Sequence, residues 1–192
     1  MKRKAIFLDR DGTINVDPGY LGDPEKFHFL PGVINALKRL REAGSLIFVV
    51  SNQSGIARGF FRDEDLKKIH DKMAAALRGE GIVLDGIYYC PHHPAEQCSC
   101  RKPSPKMVLE ASRSYGIELR ESFFIGDRVS DIETGKNAGC RTILVLTGAG
   151  EETLRELPVS PQPDHVARDL SGAVSWILGR PKKKKNNNRG LR

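Results

Sequence analysis

Two carboxylates one residue apart, Asp9 and Asp11, close the short apolar run Ala5-Ile6-Phe7-Leu8, and Gly12-Thr13 follows at once. On an extended chain, side chains two apart project to the same side. Such a pair can share a hard cation such as Mg²⁺ or divide the work of nucleophile and general acid–base. A further acidic pair stands in Gly126-Asp127-Arg-Val-Ser-Asp131, directly after the apolar Phe123-Phe124-Ile125. Asp127, set beside Asp9 and the Asp11 carbonyl, would complete an oxygen-rich Mg²⁺ site of near-octahedral demand. Asp131 could orient water at that ion or cap the helix that follows. Ser51-Asn52 offers a hydroxyl and backbone N–H groups suited to phosphoryl oxygens. Arg101-Lys102 adds two positive charges just ahead of a predicted helix, whose N-terminus also attracts anions.

A different chemistry is written into Cys90-Pro-His92-His93-Pro-Ala-Glu-Gln-Cys98-Ser-Cys100. Three thiolates and an imidazole form a closed tetrahedral set for structural Zn²⁺. His92 fits the Cys-x-His spacing and His93 does not. Cys98 and Cys100 are too near in sequence to bridge one another comfortably, and Cys140, at a strand start, reads as a buried thiol. The expected task of the zinc loop, residues 90–103, is to set Arg101 and Lys102 at the site.

The elements that must position these groups alternate. Apolar runs at 5–8, 45–50, 87–89, 123–125 and 142–146 predict strands, each bounded by polar or glycine residues. Helices are expected from Pro31-Gly32 to Ala43, from Asp63 to Ala76, from Ser104-Pro105 to Gly116, from about Ser130 to Gly139, around Glu151 to Leu157, and up to Leu178. Strands alternating with helices predict a parallel sheet covered on both faces, with polar strand ends gathered on one rim. The Gly/Pro/Asp-rich segment from Asn15 to Leu30 has no helical period and could lie over that rim as a flap.

With 192 residues, one domain is expected over 1–179. The net charge of +7 is confined to the end of the chain. Seven basic residues lie between Arg180 and Arg192 and no acid follows Asp169, which leaves 24 basic and 24 acidic residues in the body. Residues 180–192 therefore read as a basic disordered tail. The neutral body, with aromatics at 7%, argues against a zinc-stabilised nucleic-acid-binding module. No apolar run reaches the ~20 residues of a membrane span, and the basic start leads into too short an apolar run for a signal peptide. A cytoplasmic monomer, with no membrane or nucleic-acid partner, is the expectation.

Asp9-x-Asp11-Gly-Thr, Ser51, Lys102 and Gly126-Asp127-x-x-x-Asp131, in that order, resemble the four signature motifs of the haloacid-dehalogenase-like (HAD) phosphatases. The resemblance covers residues 4 to 178. It implies a Rossmann-like three-layer α/β sandwich, a nucleophilic Asp9, and an Asp11 that acts as acid and then base. It further implies Mg²⁺ held by Asp9, Asp11 and Asp127, and Lys102 offsetting charge on the transferring group. Cys-x-His…Cys-x-Cys-Arg-Lys-Pro is similar to a narrower branch that acts on heptose bisphosphates or histidinol phosphate. The strings Phe7 to Asn15, Asn52 to Gly59 and Asp85 to Pro94 resemble its heptose members, with histidinol phosphate and DNA 3′-phosphates as alternative substrates. By that resemblance Asp17, Pro18, Gly19, Tyr20, Ser51, Asn52, Gln53, Ser54, Arg101, Lys102 and Arg128 line the pocket for a phosphosugar, and Cys90, His92, Cys98 and Cys100 hold zinc.

Overall fold

The computed structural model describes residues 3–157 and 159–180. The basic segment from Pro181 onward, where the tail was expected, lies outside them. Six strands form one parallel sheet: β1 (Ala5–Leu8), β2 (Leu46–Asn52), β3 (Gly86–Cys90), β4 (Phe123–Gly126), β5 (Arg141–Val145) and β6 (His165–Ala167). Their order across the sheet is β3-β2-β1-β4-β5-β6. The register pairs Phe7 with Phe48 on one side and with Phe124 on the other. The chain order reverses at β1, whose neighbours are β2 and β4. This switch point is where open α/β sheets bind ligands, beyond the carboxyl ends of the strands.

Both sheet faces are apolar because successive side chains of a strand alternate. Ile6, Leu8, Ile47, Val49, Ile125 and Val145 turn to the face covered by α1 (Val33–Glu42), α2 (Asp63–Gly79) and α6 (Leu170–Gly179). Ala5, Phe7, Phe48, Val50 and Phe124 turn to the other, covered by α3 (Lys106–Tyr115) and α4 (Val129–Ala138). The arrangement is a three-layer sandwich. A short α5 (Gly150–Glu156) follows β5. No helix among the described residues is long and apolar enough to cross a membrane.

The expected helices and strands occur within a few residues of their predicted bounds. His165–Ala167, however, joins the sheet as an edge strand, through Ile143↔His165 and Val145↔Ala167 pairing, which its composition did not indicate. The 15–30 loop is tied down: Leu21 and Phe27 are buried in the core, and Lys72 of α2 donates to Pro24 O.

Candidate active site

The carboxyl ends of β1, β2 and β4 deliver the predicted polar groups to one cavity of about 340 Å³. Asp9 lines it, and Asp9, Asp127 and Asp131 each place one oxygen within 4.8 Å of the others. All three are buried, at 5%, 0% and 0% exposure. Close approach demands glycine here. A Cβ on Gly126 would collide with the Asp131 carboxylate, and Gly12, at φ +80°, leaves room for the carboxylate of Asp127.

Lys102 supplies the one positive charge among them. Its Nζ lies 2.8 Å from Asp9 Oδ1 and 2.6 Å from Asp131 Oδ1, and donates to Val50 O at 3.1 Å. Burial works against the ammonium, but Asp131 and Asp9 more than offset it, so its pKa is raised. Asn52 fixes the lysine's backbone: its Nδ2 donates to Lys102 O and its Oδ1 accepts from Lys102 N. Asp131 also caps α4, since its Oδ2 accepts from Arg128 N at 3.0 Å. It therefore serves the helix and the lysine together.

Three buried carboxylates against one ammonium leave surplus negative charge, which Arg128 offsets only in part at Asp127. Burial first, and then the like charges around it, push Asp9 up to about 8 despite Lys102. Burial and Asp131 push Asp127 up to about 6, against the amide of Ala149. Asp127 Oδ1 is buried without any hydrogen-bond partner. An orphaned carboxylate oxygen amid surplus negative charge is what a hard divalent cation would satisfy.

Asp11 does not turn its carboxylate into this cluster. Oδ1 accepts from Arg10 Nε and Nη2 and from Asn15 Nδ2, and Oδ2 accepts from Arg10 Nη2 and Gln53 Nε2, at 2.7 to 3.1 Å. Burial raises the pKa of Asp11, but Arg10, Asn15 and Gln53 more than reverse that, and it ends below the usual range. Side-chain ligation by Asp11 is thus not part of the cluster, which leaves its backbone carbonyl as the group expected to face a cation.

Around the mouth, every residue expected to line the pocket does so except Pro18. Gln53 Nε2 also donates to Ser51 Oγ at 2.8 Å. Arg101 has a buried Nη1 with no partner. Arg128 already pairs with Asp17 across the opening, at 3.1 Å. Tyr20 packs on the exposed Phe60 with ring centroids 4.4 Å apart, and the Arg58 guanidinium lies 6.0 Å from the Tyr20 ring.

The family model that matches describes HAD-hydrolase-like proteins and covers residues 99–173. A D-glycero-β-D-manno-heptose-1,7-bisphosphate 7-phosphatase of Pasteurella multocida is 46% identical over 153 residues, 76% of this chain and 83% of its own length. Its counterpart in Yersinia pestis is 45% identical and covers 91% of this chain and 89% of its own. The chain belongs to the HAD-like phosphatases. Among solved structures, the D,D-heptose 1,7-bisphosphate phosphatase of B. bronchiseptica, described as complexed with magnesium and phosphate, superposes with a TM-score of 0.86. It shares 39% identity and covers 91% of this chain and 98% of its own.

This HAD-like phosphatase carries its second cluster at the last residue of β3 and in the loop that follows. Cys90 Sγ and Cys100 Sγ lie 3.4 and 3.2 Å from His92 Nδ1, and the sulfur–sulfur separations run from 3.1 to 3.9 Å. A tetrahedron with Zn–S bonds of about 2.3 Å has edges of about 3.8 Å, so the four donors fit a zinc ion. His93 is engaged elsewhere: its Nδ1 accepts from Ala95 N at 3.1 Å. Cys100 immediately precedes Arg101 and Lys102, so the cluster adjoins the segment that carries both cations to the pocket.

Sequence reasoning missed the phosphatase's Arg10, Asn15 and His70. Arg10 is wholly buried, although a basic residue between two acids reads as solvated. Asn15, four residues beyond Asp11, offered a signal in its spacing that went unused. Gly55 and Ser130 also line the pocket.

Proposed function

We propose that the enzyme removes the 7-phosphate of D-glycero-β-D-manno-heptose 1,7-bisphosphate, with Mg²⁺ bound at Asp9, Asp127 and the Asp11 carbonyl, as a step of heptose biosynthesis. The observation that carries the reading is the buried Asp9 at the rim of β1. Lys102 stands 2.8 Å from it and the orphaned Asp127 oxygen lies beside it. The named relatives, at 45–46% identity, supply the choice of sugar.

In this reading Asp9 attacks phosphorus in line, forming an Asp9–phosphorus bond as the bond to the sugar oxygen breaks. Lys102 and the amides around Ser51 stabilise charge on the equatorial oxygens. Mg²⁺, when bound, neutralises charge on the transferring phosphoryl group. Asp11, which Arg10 holds ionised in the free enzyme, takes up a proton from solvent in the substrate complex and gives it to the departing sugar oxygen, then as a carboxylate takes one from the water that hydrolyses the aspartyl-phosphate. Asp131 keeps the Lys102 ammonium charged and aimed. The pocket mouth suits a second phosphate, because Arg101 has an unpaired donor and Arg128 a half-exposed guanidinium. Arginine's planar fork holds phosphate in two-point fashion. Zn²⁺ in the Cys90, His92, Cys98 and Cys100 set holds the loop and takes no part in the chemistry. The enzyme acts on this phosphosugar in the cytoplasm, as a monomer.

Phosphate release from heptose 1,7-bisphosphate, histidinol phosphate and a 3′-phosphorylated DNA, with ³¹P NMR of the sugar product, tests the reading. The expected outcome is a kcat/KM for the bisphosphate at least about tenfold above either rival, one charge-assisted contact being worth that much, with the 1-phosphate retained. A faster reaction with histidinol phosphate, or a product that keeps its 7-phosphate, refutes it.

A further inference from the structure

His70 has no place in the chemistry described so far. It sits on the core-facing side of α2 among Leu66, Ile69, Met73 and Leu77, and is 7% exposed. A histidine on an apolar helix face ordinarily reads as core filling. Here its Nε2 meets Arg10 Nη1 at 3.3 Å. A guanidinium has donors only, so the Nε2 must be the bare nitrogen and the imidazole neutral. A protonated ring would bring two cations together in a buried site. Burial, and then Arg10, push the His70 pKa down to about 4, with Asp11 and Asp63 opposing. The Tyr89 ring lies against it, with centroids 5.6 Å apart, and Tyr89 is fixed in turn by donating to Asp63 at 2.6 Å.

Arg10 is thereby held on both edges. One side of the guanidinium donates to both oxygens of Asp11 and to Gln53 Oε1, and the other to His70. We propose that His70 is a positioning residue for proton transfer: it orients the buried Arg10, and Arg10 so oriented holds Asp11 where it meets the leaving oxygen. The inference rests on the reading of Asp11 as the proton donor above. Its physical basis is geometric. Proton transfer needs donor and acceptor within hydrogen-bond reach. A long arginine side chain anchored only at Asp11 has freedom that a second fixed partner removes.

A leaving-group comparison separates this role from mere packing. An alkyl leaving group, such as the heptose 7-oxygen, needs a proton as it departs; p-nitrophenolate does not. For His70→Leu, kcat/KM with heptose 1,7-bisphosphate should fall about 10- to 100-fold, a part of the worth of general acid catalysis. With p-nitrophenyl phosphate it should fall less than about threefold. His70→Gln, whose Oε1 can accept from Arg10 in place of Nε2, should restore most of the loss. If His70→Leu does not fold, His70→Asn, with its shorter amide, takes its place in the same comparison. Equal losses on both substrates, no loss on either, or no rescue by His70→Gln overturns the inference. Asp11→Asn run alongside distinguishes the failures. If it shows the leaving-group bias and the His70 variants do not, only the link to His70 fails. If Asp11→Asn shows no bias, the proton-donor reading falls and takes the inference with it.

Discussion

Titrating Mg²⁺ into the protein at pH 5 and at pH 7 should give affinities that differ by about a hundred- to a thousandfold. The magnitude follows from the carboxylate cluster. Asp9 stands at about 8 and Asp127 at about 6, both raised mainly by burial and by like charge. A cation must displace whatever protons these groups hold, and the pair titrates as a unit. At pH 7 that is about one proton, chiefly on Asp9, and at pH 5 about two. Calorimetry in two buffers of different ionisation enthalpy reads both the affinity and the number of protons released. The same linkage sets stability. Folded-state pKa values above the ordinary carboxylate range mean that the folded protein holds protons the unfolded chain has lost. In chelator, the melting temperature should therefore fall as pH rises from about 4 to about 8. Saturating Mg²⁺ should remove most of that slope, and its stabilising effect should be larger at pH 8 than at pH 5. An affinity that does not change with pH, or Mg²⁺ binding without proton release at pH 7, would refute the claim that the cation sits among these carboxylates.

Three other outcomes are expected. Asp9→Asn should fold, as judged by circular dichroism, yet release no phosphate from any substrate, because an amide cannot take the nucleophile's part. Lys102→Met removes the ammonium that stands 2.8 Å from Asp9 and 2.6 Å from Asp131; kcat should drop about 10²- to 10³-fold, and melting should show a loss of about 3–5 kcal/mol from the charges left unpaired. Cys98→Ser should lower bound zinc from about one ion per chain, measured by elemental analysis, and lower the melting temperature.

Much of the architecture was legible because the strands that build the rim are continuous apolar runs ending in polar residues. Phe7-Leu8-Asp9 and Ile125-Gly126-Asp127 announce both the buried strand and the place where it meets solvent. Spacing favoured His92 over His93, and it is His92 that stands with Cys90, Cys98 and Cys100, whereas His93 braces the loop. The edge strand β6 was less visible: His165-Val166-Ala167 is too short and too polar to signal a strand, and it exists because β5 offers it a partner. Asn52 read as a source of backbone N–H for phosphate; that both ends of its side-chain amide hold the Lys102 backbone, 50 residues away, could not be read from the sequence. The grip on Asp11 was invisible for the same reason. Arg10, Gln53 and His70 are far apart in the chain, and their meeting is a product of tertiary packing. No local pattern marks an arginine as buried when the partners that permit its burial come from other elements.

The most direct test of the account is a mass spectrum of the protein quenched in acid during turnover of heptose 1,7-bisphosphate with Mg²⁺. A phosphoryl adduct is expected on the peptide that carries Asp9, absent from Asp9→Asn. A full rate of phosphate release with no adduct, or an adduct on another residue, would contradict it.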